Sequence, residues 1–133
     1  SDETCTFFLG YASARQKEAY DIVKEAHDRA LAAVKAGVSC REIDRIARDC
    51  IEEGGLGKYF SHGTGHGIGL DVHEPPKIAA PSEDILEAGM VVTIEPGVYM
   101  PGQWGIRIED TVLAKDDRCE ILTKIAKDFT ILN

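Results

Sequence analysis

No stretch of this 133-residue sequence stays apolar for the roughly 18 residues that a membrane-spanning helix needs. The opening SDETCTFFLG is too short and too acidic for a secretory signal, so a soluble, cytoplasmic protein is expected. Basic residues are scarce: 15 Lys and Arg stand against 23 Asp and Glu, a formal net charge of -8. Phosphate backbones are gripped by clustered Lys and Arg, so this balance excludes a nucleic-acid groove and favours cations over anions as partners. Cysteine is sparse too. Cys5, Cys40, Cys50 and Cys119 form no CxxC, and a chain of this size needs no disulfide staples, so four reduced thiols are expected. Repeats, low-complexity tracts and internal linkers are missing, which leaves one domain over residues 1–133.

What is present can build a core, since 44% of residues are hydrophobic and 29% charged. From Ser13, Ala19, Ile22, Val23, Ala26, Ala30, Leu31 and Val34 recur at helical spacing. Ser13 and Gln16 suit a capping box, and Gly37 is the expected stop. A second helix is expected behind a Ser39–Glu42 capping box, with Ile43, Ile46, Ala47 and Ile51 as its stripe and Gly54-Gly55 as its end. His27 lies on the first helix and receives no role. Beyond Lys58 helical periodicity stops, and GMVVTIEPGVYM, IRIEDTVLA and CEILT read as β-strands. The expectation is an α+β fold, two helices packed on an antiparallel sheet. SDETCTFFLG reads as a strand that starts in mid-stride, as though cut from something longer.

The chemistry concentrates in SHGTGHGIGLDVHE, where His62, His66 and His73 fall within a short glycine-rich run. Three glycines between residues 62 and 68 argue for a loop entering a strand, with backbone that can approach something closely. One histidine there would pass as a surface residue, but three suggest a metal or acid–base site. Glu95 reads as a lone acid inside an apolar strand, where an unpaired carboxylate is costly. The period of two puts Arg107, Glu109 and Thr111 on one face and Ile106, Ile108 and Val112 on the other. A buried Arg107–Glu109 pair would account for those two residues alone. Carboxylates with an imidazole suit Mn²⁺, Co²⁺, Fe²⁺ or Zn²⁺, and bridging carboxylates suit two ions about 3.5–4 Å apart, which is a recipe for hydrolysis.

HGTGHGIGLDVHE, EAGMVVTIEPGVY and GIRIEDTVL closely resemble, in order and spacing, the metallopeptidase family that holds Xaa-Pro dipeptidase (prolidase) and aminopeptidase P. The resemblance covers nearly the whole chain. It implies the C-terminal half of a pita-bread (creatinase/aminopeptidase-like) fold, with two helices on a curved antiparallel sheet. It also implies two divalent ions, Mn²⁺ or Co²⁺ before Zn²⁺ or Fe²⁺. Asp2 and Glu109 would bridge them, while His66 and Glu95 would complete the second site. Glu95 would double as general base, His62 and His73 would flank an Xaa-Pro dipeptide or peptide, and Arg107 would orient Glu109 or touch substrate.

Two departures accompany the match. The family's additional aspartate, about ten residues before the position of Asp2, precedes this sequence, as do its N-terminal domain and first catalytic repeat. At most one ion is therefore expected here, together with an inactive fragment prone to self-association of a protein that is itself a homodimer. Cys5 also replaces the family's usual arginine, which would put an oxidisable thiol near the site. Competing implications are a methionine aminopeptidase-like enzyme and a non-catalytic pita-bread module that binds peptide or protein.

Overall fold

The computed structural model describes residues 1–133, and its first helix, α1 (Ala14–Ala33), begins as the sequence predicts. Ser13 accepts from the Gln16 amide, and the Gln16 side chain accepts from the Ser13 amide, so the capping box is complete. Ala19, Val23, Ala26 and Ala30 are buried along one stripe, with Tyr20 and His27 beside them. The helix stops short of Gly37. Val34 is extended, because the following residues bond elsewhere: the Ala36 amide to the Lys115 carbonyl and the Gly37 amide to the Leu86 carbonyl.

Helix α2 (Cys40–Glu53) packs on α1 and buries Ile43, Asp44, Ala47, Cys50 and Ile51. Truncating Ile43 or Ile51, both fully buried, would cost roughly 2–5 kcal/mol. The expected Ser39–Glu42 capping box does not form. Glu42 is held by Arg45 instead, and the first helical amide, that of Cys40, reaches the Asp84 carbonyl through a bridge between Ser39 and Ile85. The helix ends at Gly54, followed by Gly55 at a positive φ of 73°, as the Gly-Gly pair predicts. All four cysteines are free, and burial pushes the Cys40 thiol up to about 11.

The strands are β1 (Phe8–Leu9), β2 (Gly65–Gly67), β3 (Glu74–Ile78), β4 (Val91–Ile94), β5 (Gly97–Met100), β6 (Trp104–Arg107), β7 (Asp110–Ala114), β8 (Cys119–Ile121) and β9 (Ile131–Leu132). Five of them form an antiparallel sheet in the order β3-β2-β4-β7-β8, while β5 and β6 make a separate hairpin. The long runs read as single strands are each split. Proline cannot donate to a ladder, so pairing breaks at Pro96. Ile108 and Glu109 donate to Pro96 and Thr4 instead of continuing one strand. The N-terminal strand is a correction as well: only Phe8–Leu9 is strand, and it pairs parallel with β9, while Thr4 makes a single antiparallel bridge to Glu109. Core residues from α1, α2 and the sheet merge into one cluster around Val23, Ile43, Ile94 and Ile108.

Candidate metal centre

The HGTGH loop is tied to α2 by two residues the sequence analysis passed over. Asp44, buried on α2, accepts from the Thr64 amide at 3.0 Å and the Thr64 hydroxyl at 2.9 Å. Arg48, one turn on, pairs with Asp44 and donates to the carbonyls of His62 at 2.9 Å and Phe60 at 3.2 Å. The i, i+4 spacing of an acid and an arginine was the available signal, though it ordinarily marks a solvated helix face.

From that anchor the chain enters β2, whose central residue is His66. A Cβ at Gly65 would run into the Thr93 carbonyl and one at Gly67 into the Pro75 carbonyl. The close approach expected of the glycines flanking His66 is therefore made by neighbouring backbone. His66 Nδ1 lies 2.9 Å from the Gly67 carbonyl, a donation that leaves Nε2 free to bind a cation. That Nε2 faces Glu95 Oε1 at 3.1 Å and Asp2 Oδ2 at 3.8 Å. Glu95 is not within a strand but just past the end of β4. Its amide donates to Thr64 at 2.7 Å and its carboxylate accepts from the Thr93 hydroxyl at 3.1 Å.

Residues 2, 4 and 6 run antiparallel to 111, 109 and 107. Asp2 and Thr111 exchange hydrogen bonds through the Thr111 hydroxyl, and Thr6 does the same with the Arg107 backbone. Thr4 donates to the Glu109 carboxylate and accepts from Arg107 Nε at 3.0 Å. The shared face of Arg107, Glu109 and Thr111 is thus real, and it turns toward Asp2. The tight Arg107–Glu109 pair is not formed: the groups are 4.0 Å apart and Arg107 is 42% exposed. Glu3 points the other way, to Lys127, and alternation along the same extended segment turns Cys5 to that side, off the site.

Asp2, His66 and Glu109 offer ligand atoms that all lie within 4.8 Å of one another, and Glu95 joins them through His66. Burial pushes the Glu109 carboxyl above its ordinary value, and repulsion from Glu95 and Asp2 adds to this against the pull of Thr4 and Arg107. Three carboxylates around one imidazole form a donor set that a hard divalent ion would satisfy. Beside it opens a pocket of about 490 Å³ lined by His62, His66, His73, Glu95 and Arg107 among others. The His73 ring lies tilted beside that of His66, with centroids 4.3 Å apart, while His62 Nε2 meets the Tyr99 hydroxyl at 2.8 Å. All seven candidate residues therefore converge, five on the pocket wall and two through His66.

The sequence model of metallopeptidase family M24 matches residues 1–116. The chain belongs to that family. It is 48% identical over 129 residues to an Xaa-Pro dipeptidase of Pyrococcus furiosus, a match covering 97% of this chain and 37% of the relative. Among solved M24-like structures it superposes on an Xaa-Pro dipeptidase from Bacillus anthracis with a TM-score of 0.97 at 48% identity, covering 99% of this chain and 37% of the other. An X-Pro aminopeptidase from Thermotoga maritima gives 0.95 at 43% identity, covering 99% and 38%. The α+β arrangement is that of pita-bread prolidases, and the chain spans about 37% of the length of the relatives it matches. Membership of a metallopeptidase family implies divalent metal, for which Asp2, His66 and Glu109 are the clustered donors.

Proposed function

We propose that the chain carries part of the catalytic centre of a metal-dependent exopeptidase that hydrolyses the bond preceding proline, in a protein of its relatives' length. The observation that carries this reading is His66 Nε2, freed by its Nδ1 contact and surrounded by Asp2, Glu95 and Glu109 at the edge of a histidine-lined pocket. The relatives' names supply the substrate class, Xaa-Pro dipeptidase being the more frequent among them and X-Pro aminopeptidase the second reading. Proline lacks an amide hydrogen and fixes its φ, so a dedicated pocket is chemically reasonable.

Asp2, His66, Glu95 and Glu109 would hold a divalent ion, Mn²⁺ or Co²⁺, which would supply Lewis acidity to acidify water and polarise the scissile carbonyl. Glu95 accepts the proton of the attacking water, since its carboxylate sits at the pocket wall beside His66. His73, exposed on the same wall, donates to the oxygen that gains charge as the carbonyl is attacked. His62, steadied by Tyr99, and Arg107 orient the substrate's polar ends. A second ion would find only Asp2 and Glu109 here, so the 133-residue chain takes up at most one. Alone it is expected to give no Xaa-Pro hydrolysis.

Calorimetric titration with Mn²⁺ tests the reading: about one weak site per chain is expected, and two tight sites would overturn the ligand assignment. Release of proline from Xaa-Pro dipeptides, assayed beside a protein of the relatives' full length, is expected from the longer protein only.

A further inference from the structure

Lys127 is buried outside the pocket lining, at 6% side-chain exposure. Its ammonium meets Glu3 Oε1 at 2.6 Å, Asp110 Oδ1 at 3.0 Å and the Ile125 carbonyl at 2.9 Å. An ammonium has three donors, and all three are committed. The surroundings reinforce the arrangement. Thr123 donates to Asp110 Oδ1 at 2.5 Å, the Ile125 amide donates to Glu3 Oε1 at 3.1 Å, and buried His27 lies 3.2 Å from Asp110 Oδ2.

The two acids that Lys127 joins are sequence neighbours of two proposed ligands: Glu3 follows Asp2, and Asp110 follows Glu109. Alternation along extended backbone turns Asp2 and Glu109 to the metal centre and Glu3 and Asp110 to the opposite side. Asp2 and Glu109 arrive on separate segments, joined otherwise by one β-bridge and by threonine hydrogen bonds, in which Thr4 links the Glu109 carboxylate to Arg107. We infer that Lys127 is a positioning residue for the metal centre, clipping Glu3 to Asp110 and so fixing the separation of Asp2 and Glu109. The inference rests on the metal reading above.

Charge and clip predict opposite outcomes. A cation near the centre repels a bound cation, so if Lys127 acted through charge alone its removal would tighten metal binding. If it acts as a clip, removal weakens binding.

The test compares Lys127→Met with wild type and with Lys124→Met, which removes the same charge from an exposed position. Amide exchange in the metal-free 133-residue chain reads the clip directly. The Glu109 amide, bonded to the Thr4 carbonyl at 3.0 Å, is expected to exchange at least ~10-fold faster in Lys127→Met while α2 amides hold their rates. Mn²⁺ affinity is expected to fall about 10–100-fold, the usual loss when a partner behind the ligands is removed. Lys127→Arg keeps the charge but replaces three divergent donors with a planar fork, so intermediate values are expected. Should Lys127→Met not fold, Lys127→Arg carries both readouts, and wild-type values in it overturn the inference. Unchanged exchange at Glu109, acceleration spread evenly over all amides, or unchanged or tighter Mn²⁺ binding in Lys127→Met would each overturn it. If wild type takes up no Mn²⁺, the metal reading fails, while exchange at Glu109 still decides the clip.

Discussion

His66 Nε2 stands 3.1 Å from Glu95 Oε1, while its other ring nitrogen faces the carbonyl of Gly67. The backbone thus sets the tautomer, and the only free nitrogen is the one among carboxylates. His66→Ala should abolish Mn²⁺ binding, and Glu95→Gln, which keeps shape but removes the base, should lower turnover of the full-length protein by at least ~100-fold. Calorimetry and proline release check the two. Full metal uptake by His66→Ala would remove that residue from the ligand set.

His73 shares the pocket but donates no atom to the cluster of Asp2, His66 and Glu109. His73→Ala in the full-length protein should therefore keep its metal and lose kcat by roughly 100-fold, in line with loss of one group that stabilises developing charge. Metal analysis beside kinetics separates the roles, and a metal-free variant would make His73 a ligand.

Burial, reinforced by neighbouring acids, raises the Glu109 carboxyl above its ordinary value. The fold thus favours its protonated form: this contribution to stability is fully present below pH 4.5 and is lost as pH rises through the raised folded value. At pH 7, without metal, the carboxylate is a cost. Glu109→Gln should raise the melting temperature of the chelator-treated chain at pH 7 by a few degrees and flatten its pH dependence above about 4.5, while weakening Mn²⁺ binding at least ~10-fold. Thermal scans across pH read the first effect. A lower melting temperature would contradict the sign.

Asp44 balances Arg48 and holds both donors of Thr64. Asp44→Ala leaves a buried threonine unsatisfied and removes the acid from the partly exposed Arg48, a loss of about 1–3 kcal/mol. Urea unfolding should show that drop. Exchange at residues 62–66 should accelerate first, because Asp44 and Arg48 are what tie this loop to α2.

The sequence alone determined the helices and the α+β class, because these signals are local or periodic, and it nominated seven candidate residues that the structure brings together. Apolar spacing marks α1 and α2 whatever they pack on, and period-two alternation put Arg107, Glu109 and Thr111 on one face, where the structure has them. A glycine-spaced histidine cluster is equally local. Tertiary structure decided whatever depends on partners far along the chain. Helix α1 ends at Ala33 rather than Gly37 because residues 86 and 115 take the amides that follow, and Ser39 loses its capping box to a bridge with Ile85. The longer strands break where Pro96, Thr4 and Thr64 offer bonds from outside the ladder. Asp44 and Arg48 look like a solvated helical pair until the HGTGH loop lies over them, and Lys127 looks like any lysine until folding places it between Glu3 and Asp110. Candidate ligands could be nominated from the family resemblance of their motifs, but the supports that aim those side chains exist only once distant segments meet.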